Sequence, residues 1–564
     1  MAALLAAWGA ILSKYGVDVP FGDQWDSPVR QLASLRAGDL TLAELTYQHN
    51  EGRKLFPNLI SLGVAMLAGH YDTRAELIVG PAVFAATLAA LLVATRRAAS
   101  RATCATIAAV ATGIAWSPRT AWFHQYSITF ERLLPELTLA CALSLLVLRG
   151  GGWTATLGAI ALAGVGQFSF PSGIVAWPLL IGFVLLARRA NARVAAAALA
   201  GGALAVSALY FHGYVQPPHH SAPSAVLAEP PGRIAGFALA FLGNAFTQAR
   251  TGVWIGALGL LAWIALAARA LRGPPGRERD VRLLWTVYGA FSVALAALTT
   301  ITRLPMGAAH AARHDYVSQA MPLYVSIAAL VLLDVAPKRR HAVHALAIAA
   351  SVAWASSLAS DGFRRELEQR RQDRLRIKAC IVLARHHDDD ACLRAAYPFA
   401  PIGARIDAAA PFLQPPLQDA LRLGSAGVGS VDAVEPDGDA FLLAGWAARD
   451  GAPADAVAIA ADDLARRPAR ILAIARVGEP RPDLGGAPQG WRARVGVQDG
   501  LDPCRLRVYA VDTTTALLHP LASVATRCRT TPAALPPEAV RSPSVFDILV
   551  GTPARPGPSS PLWR

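Results

Sequence analysis

The sequence predicts a mainly α fold: a polytopic α-helical membrane domain of about eleven spans, then an external helical segment and a small antiparallel β-sandwich domain. Three observations predict it. Hydrophobic residues make up 54% of the 564 residues and charged residues only 16%. An average soluble domain carries roughly 25% charge, so a purely cytosolic enzyme is excluded. Apolar runs of spanning length recur through residues 1–360 and stop there. From about residue 427 the apolar period changes to two, between Gly, Pro and Asp turns, the pattern of short half-buried strands.

A spanning helix needs about 20 mostly apolar residues. Eleven runs serve: 1–15, 74–95, 102–117, 132–148, 153–170, 172–187, 194–212, 251–268, 283–301, 318–335 and 341–359. The first is short for a span. It lacks a basic n-region and an A-x-A cleavage pattern, so it reads as a retained helix. Two further runs, 55–69 and 233–248, would each reverse the orientation of everything after them. Both are expected to be interfacial or re-entrant helices.

Charge sets the direction. Residues 1–360 hold 27 Lys+Arg against 15 Asp+Glu, whereas residues 361–564 hold 26 against 24. A basic excess confined to the membrane part follows the positive-inside rule, so the net charge of +14 does not call for a nucleic-acid partner. With the N-terminus cytoplasmic, Arg96, Arg97, Arg101, Arg149, Arg188, Arg189, Arg193, Arg269, Arg272, Arg277, Arg279, Arg282, Lys338, Arg339 and Arg340 all fall on the inner side, against Glu278 and Asp280. Eleven spans then place residues 361–564 in the periplasm or outside the cell, for a multi-pass protein of a bacterial inner (cytoplasmic) membrane.

Cysteines agree with that direction. Cys104 and Cys141 lie within spans, and the other four lie in the C-terminal region. Of the three pairings that four cysteines allow, Cys380–Cys392 with Cys504–Cys528 fits best, because each pair brackets one sub-element. Disulfides require an oxidising compartment.

The domain boundaries follow. Residues 1–360 form the transmembrane domain, with an external loop of catalytic type at 16–73. Residues 361–425 form an external helical linker, in which Leu367, Leu375, Cys380 and Leu383 recur near helical spacing. The run His386-His387-Asp388-Asp389-Asp390 reads as a solvated turn rather than a metal site, since no further ligand spacing accompanies it. Residues 426–530 form the β-sandwich, a stabilising or docking module with no ladder of exposed aromatics, and the Pro/Ser-rich residues 531–564 are expected to be disordered.

The first external loop carries the chemistry. It begins Pro20-Phe21-Gly22-Asp23-Gln24-Trp25-Asp26 and later runs Gln48-His49-Asn50-Glu51-Gly52-Arg53. Two acids beside a Trp at a membrane surface suit an enzyme acting on a lipid-borne polar group. Asp23 first, and Asp26 second, are the expected catalytic carboxylates. Each is placed to act as general base towards an acceptor hydroxyl, or to hold a divalent cation, Mg or Mn, that neutralises a phosphate leaving group. The plainer alternative makes Asp26 a cap for a helix starting at Ser27-Pro28. His49, Asn50, Glu51 and Arg53 are then candidates for binding substrate or donor. So are Arg119, His124 and Gln125 from a later outer loop, and Arg313 and Tyr316 from another that also holds Arg303, His310, His314 and Asp315. Arg offers phosphate a bidentate, always-charged fork, and the plainer alternative is Arg snorkelling among headgroups. A further outer loop holds His212, Tyr214, His219 and His220, and Gln167–Gly173 reads as a tight external turn. Walker, HExxH, GxSxG and dinucleotide signatures do not occur.

This layout resembles the GT-C superfamily of membrane glycosyltransferases: many spans, an acidic first loop with Asp23 and Asp26, helices along the membrane after it, and an external C-terminal domain. More narrowly, Gly22–Asp26, Gln48–Arg53, the Ser169 to Pro178 stretch, Ala444–Ala447 and Arg481-Pro482-Asp483 resemble a group of bacterial polytopic membrane proteins. That group has His where Gly52 stands here, and often has adjacent acids where Gln24 intervenes. The resemblance implies a catalytic acid in the first loop, which Asp23 or Asp26 matches. It also implies a polyprenyl-phosphate-linked sugar as donor, membrane lipids as surroundings and a glycan or lipid acceptor. Two other readings stand beside it. A transporter or flippase of lipid-linked saccharides would need ionisable groups deep in the spans, and a non-catalytic envelope assembly protein would leave the loop polar groups scattered.

Overall fold

In the computed structural model the described residues are 2–528, apart from 117–118, 121–124, 189, 218–223, 225, 227, 249, 358–359, 388, 400, 462–469, 497–501 and 522–526. The expected tail at 531–564 lies outside them, as do His124, Trp122, His219, His220 and Asp388. The chain forms two compact units. One holds Met1–Gly16, Ser34–Val64 and Thr73–Glu368; the other holds Val17–Ala33, Ala65–Asp72 and Gln369–Arg564. The expected first loop is therefore divided, and its parts 17–33 and 65–72 belong with the C-terminal region.

The first unit is a helical bundle. Every expected span is a helix: Ala2–Tyr15, Val79–Thr95, Arg101–Ala115, Leu134–Arg149, Trp153–Gln167, Ala176–Leu186, Ala192–Phe211, Thr251–Arg272, Arg277–Arg303, Val317–Asp334 and Arg340–Ser356. By length and apolarity alone, five segments among the described residues suffice to cross a membrane: Thr73–Thr95, Ala192–Phe211, Thr251–Arg272, Arg277–Met306 and His314–Asp334. A bent pair, Arg340–Ser356 with Asp361–Val382, would make a sixth. Shorter apolar helices include Arg101–Ala115 and Pro171–Leu186, the latter counted with its opening 3₁₀ turn Pro171–Val175. The two runs set aside as non-spanning are the helices Leu55–Ala68 and Pro231–Gly243, of 14 and 13 residues. At 1.5 Å per residue, each is about 20 Å long, against a hydrocarbon core of about 30 Å.

Burial sorts the bundle into centre and periphery. Arg277–Met306 and His314–Asp334 have 67% of their apolar window buried, whereas Ala192–Phe211 and Thr251–Arg272 have 22%. Leu204, Leu209, Trp254 and Leu258 on the peripheral pair are exposed, as lipid-facing side chains must be. Without a hydrophobic force between helices in lipid, close approach and polar contacts hold them. A Cβ at Gly256 would stand 2.0 Å from the Leu239 carbonyl oxygen, and one at Gly243 would stand 1.8 Å from that of Gly252. Glycine thus lets Pro231–Gly243 lie directly on Thr251–Arg272. At the centre, Trp285 Nε1 donates to Thr95 Oγ1 at 3.0 Å, and Ser326 Oγ donates to the Trp285 carbonyl at 2.6 Å. Pro322 interrupts Val317–Asp334, and Ser292 Oγ accepts the neighbouring Leu323 N–H at 3.1 Å. Proline brings no N–H of its own, and the backbone donor next to it takes a side-chain acceptor from another helix.

The second unit is built on strands. Their order is Arg527–Cys528, Val428–Asp437, Ala440–Arg449, Ala487–Gly496, Ile471–Arg481, Ala456–Ala460, Arg507–Asp512, Leu517–Pro520 and Arg422–Leu423, with Ala452–Pro453 pairing to Ala440–Arg449. Ile471–Arg481 joins two sheets: residues from Ile471 to Arg476 pair with Ala456–Ala460, and residues from Val477 to Arg481 pair with Ala487–Gly496. Val431, Phe441, Leu443 and Trp491 from one sheet and Val457, Ile459 and Val508 from the other share one core, which makes a sandwich. The pairings are antiparallel except at the two edges, where Arg527–Cys528 and Arg422–Leu423 pair in parallel. The expected antiparallel sandwich is thus present, with two-residue parallel pairings added at its edges.

Ala456–Ala460 is buried at all five positions. The reason lies on the other face, where Ala379, Cys380, Leu383 and Cys392 pack on Ala456, Ala458, Ile474 and Tyr509. The expected disulfides are present, Cys380–Cys392 and Cys504–Cys528, with Cα separations of 5.7 and 5.9 Å. The turn after the first of these cysteines is less solvated than expected. His387 is 5% exposed and its Nε2 donates to the Cys380 carbonyl at 2.8 Å, while Asp389 caps the Cys392 N–H at 3.0 Å.

Candidate functional site

In the bundle, Gln48–His49 and Gly52–Arg53 form a two-stranded hairpin, with Gln48 opposite Arg53 and His49 opposite Gly52. Its turn is Asn50-Glu51, and Asn50 takes φ 51°, a left-handed conformation that Asn tolerates better than most residues. At Gly52 a Cβ would meet the Pro171 ring at 3.3 Å, so a residue with a side chain fits there only if that ring gives way. Arg53 donates to three carbonyls, those of Tyr210 at 2.7 Å, Thr46 at 3.0 Å and His212 at 2.6 Å. Tyr210 and His212 end the helix Ala192–Phe211, where orphan carbonyls need donors. Arg53 is therefore a brace between the hairpin and a helix terminus. Gln48 acts similarly, donating to the Asn50 and Val215 carbonyls at 2.7 and 2.6 Å. His49 Nε2 lies 3.1 Å from Asn50 Nδ2.

Glu51 faces the loop after the helix Arg277–Arg303. Its Oε1 pairs with Arg303 Nη2 at 2.9 Å, and its carbonyl accepts from Tyr210 Oη at 2.7 Å. Burial raises the pKa of the Tyr214 phenol, and the Glu51 charge adds to that while Arg303 opposes it. The half-buried Tyr316, on the 3₁₀ turn His314–Tyr316, follows Arg313 and Asp315 in the chain. Arg313 pairs with Asp315 at 2.7 Å, Arg132 donates to the Asp315 carbonyl at 2.8 Å, and Tyr316 Oη lies 3.0 Å from His310 Nε2. Arg132 also lies over the Phe170 ring at 5.2 Å. Three guanidinium groups, those of Arg132, Arg303 and Arg313, thus share this part of the bundle with the two carboxylates Glu51 and Asp315.

Arg119 belongs to the same network as a brace. It donates to Asn244 Oδ1 at 2.5 Å and to the Ala312 carbonyl at 2.9 Å, and Asn244 Nδ2 donates to the Arg313 carbonyl at 2.6 Å. With the Gln248 amide turned so that its oxygen faces these donors, it accepts from Arg119 and, at 3.0 Å, from His314. Gln125 sits apart, buried, donating to the Leu367 carbonyl at 2.7 Å. The bundle therefore brings Glu51, Arg119, Arg313 and Tyr316 into one network, while Gln125 is a packing contact. Arg132, Asn244, Gln248 and Tyr210 are new members. Asn244 and Gln248 stand next to a short apolar helix, which drew attention away from them; Arg132 adjoins an expected span and reads as its polar end.

Asp23 and Asp26 lie in the second unit, on the 3₁₀ turn Gly22–Trp25 and its cap. The Asp23 carbonyl accepts from the Asp26 and Ser27 N–H groups at 3.0 and 3.1 Å. Gln24 pins the turn, accepting from the Phe21 N–H at 3.0 Å and donating to Tyr71 Oη at 2.8 Å. Trp25 is 1% exposed, a core residue rather than the surface tryptophan expected. Asp26 accepts from Tyr397 Oη at 2.9 and 2.8 Å on its two oxygens, and from Arg405 Nη1. Burial and the Asp26 carboxylate push the Tyr397 phenol up to about 12. Arg405 also covers the Tyr397 ring at 4.5 Å. Asp26 thereby ties the first loop to the region after residue 369, a contact across 371 to 379 residues of chain.

No protein-family profile and no curated protein matches this sequence. Two solved structures are similar over 73% of each chain, both of ArnT from Cupriavidus metallidurans. The one bound to undecaprenyl phosphate has a TM-score of 0.40 at 16% identity, and the one in the apo state 0.37 at 15%. A likeness at this level carries no argument about what this chain does.

Proposed function

We propose that this membrane protein is a glycosyltransferase. It moves a sugar from a polyprenyl-phosphate donor to a cell-envelope glycan or lipid on the outer face of the inner membrane. The observation that carries the reading is the network that holds Arg132, Arg303 and Arg313 in the helical bundle: Arg313 pairs with Asp315, Arg132 donates to the Asp315 carbonyl and Arg303 pairs with Glu51. An excess of guanidinium over carboxylate at the polar end of apolar helices suits a lipid-borne phosphate. Arg313 is assigned to the donor phosphate. Asp23 is assigned the role of general base, or of ligand to a Mg or Mn ion that neutralises the leaving phosphate. Asp26 ranks second because its carboxylate already accepts from Tyr397 and Arg405.

The outward orientation is supported by the two disulfides, which need an oxidising compartment. The Asp26–Arg405 contact further requires the first loop and the C-terminal region to share one side. An alkaline phosphatase fusion at Gly424 should be active, and a cytoplasmic reporter there silent.

The test of the transferase reading is mass spectrometry of envelope glycans in a deletion strain complemented with variants. Asp23→Asn should lower transfer by about 10²–10⁴-fold at unchanged protein abundance, the usual cost of losing a general base. Arg313→Ala should mainly weaken donor binding. Full activity in both Asp23→Asn and Asp26→Asn would move the transferase site elsewhere. A transporter reading has one observation in its favour: Glu136, in the first turn of Leu134–Arg149, is 4% exposed and its Oε1 has no hydrogen-bond partner. Loss of lipid-linked saccharide transport in Glu136→Gln, with transfer intact, would favour that reading.

A further inference from the structure

A group of possible ligand atoms lies in the second unit, on segments that flank the turn carrying Asp23 and Asp26 in the chain. Asp18 follows the helix Ala2–Tyr15, and His70 and Asp72 follow the helix Leu55–Ala68. Gly69 takes φ 75° directly after that helix, the left-handed stop that glycine supplies without strain. Tyr71, 1% exposed, then anchors the turn: its N–H donates to the Phe412 carbonyl at 2.9 Å and its hydroxyl accepts from Gln24. His70 and Asp72 flank that anchor, and one ligand atom from each of Asp18, His70 and Asp72 lies within 4.8 Å of the others.

The imidazole is oriented from behind. His70 Nδ1 is 3.1 Å from the Ala68 carbonyl. A carbonyl can only accept, so Nδ1 carries a proton and Nε2 is the ring atom turned towards the carboxylates. Nε2 is 3.6 Å from Asp18 Oδ2 and 3.9 Å from Asp72 Oδ2, beyond the roughly 3.2 Å limit of an N–H···O bond. Two atoms each about 2.1 Å from a tetrahedral cation stand about 3.4 Å apart. The spacing matches that of ligands sharing an ion, and the carbonyl behind the ring is the partner a metal-bound histidine ordinarily has.

We propose that Asp18, His70 and Asp72 form a divalent-cation site of the zinc class, distinct from any cation at Asp23. One imidazole nitrogen with two carboxylate oxygens favours a borderline metal over the all-oxygen sets of Mg and Ca. The ion clamps the stretch after Gly16 to the stretch after Gly69, so it fixes these two segments of the second unit to each other. Its role is structural, and it does not depend on the transferase reading.

The experiment is titration of Zn²⁺ alone into chelator-treated full-length protein in detergent, with binding followed calorimetrically and Tm recorded in parallel. The wild-type protein should bind Zn²⁺ and gain Tm. His70→Gln and Asp72→Asn should each weaken that binding by at least about tenfold, no less than the 10–100-fold that loss of a mere supporting contact costs. Asp23→Asn should leave it unchanged. The proposal is overturned if His70→Gln and Asp72→Asn, shown to be folded by circular dichroism, bind as the wild type does. It is equally overturned if the wild type gains no Tm, or if Asp23→Asn removes the site. A failed transferase assay touches none of these outcomes.

Discussion

The two units use charge in opposite ways. In the bundle, Lys54 and Glu131 pair at 3.0 Å with both side chains 4% exposed, and Arg303 pairs with Glu51 at 14% and 29%. On the sandwich, Arg494 meets Asp437 and Asp439 with every partner more than half exposed, and Arg505 meets Asp502 at 86% and 48%. Exposed pairs contribute little to stability because water screens them. Buried pairs are held by what surrounds them, and removing one partner strands the other. The sandwich charges therefore keep a surface wet, whereas those of the bundle fix the geometry of one polar end in a medium of low dielectric constant.

The comparison breaks most easily at Lys54. Lys54→Met should destabilise the protein by about 3–5 kcal/mol, and the Lys54→Met/Glu131→Leu double variant should recover most of that. Thermal unfolding in detergent measures both, and a small effect of the single variant would remove the contrast. Next comes the second unit's own cross-link. Cys380→Ser should cost about 2–4 kcal/mol, read as earlier unfolding of the strand domain. Oxidised and reduced wild-type protein should differ in the same direction.

A smaller effect concerns Asp26. The folded protein holds the Tyr397 phenol at about 12, above its ordinary 10.0, so the neutral, donating form is the one the fold favours. The stability this supplies is fully present below pH 10 and is lost as pH rises through about 12. In Asp26→Asn the tyrosinate should appear at lower pH, which alkaline difference spectroscopy records. The smallest effect belongs to the surface: Arg494→Ala should change stability by no more than about 0.5 kcal/mol and be indistinguishable from wild type in high salt.

Much of this fold was legible because its signals are local. Each apolar run marked a helix, since a span must satisfy its own backbone within about 20 consecutive residues. Strands such as Phe441–Ala447 showed themselves by period, and the cysteines by their brackets. The division of the first loop was not legible, because nothing near Asp26 names Tyr397 or Arg405 as its partners. The capping alternative considered for Asp26 was a local idea, and the bonds it makes are long-range. Arg53 and Arg119 read as open cations for the same reason: sequence shows a charge, but not the carbonyls that accept from it. Asn244 and Gln248 carry no charge at all, and became visible only through the arginine and histidine they support.

The contact between Asp26 and the segment holding Tyr397 and Arg405 also imposes an order in time. Its two sides are separated by 371 to 379 residues. At synthesis rates of about 5–20 residues per second, the acid turn emerges roughly 20–75 s before the residues that secure it. During that interval Phe21 is made but lacks Arg374, whose guanidinium later covers its ring. The nascent first loop is thus a natural client for a chaperone or for the translocation machinery. A ribosome stalled before residue 390 should leave it open to protease, and one stalled well beyond the last strand should leave it protected.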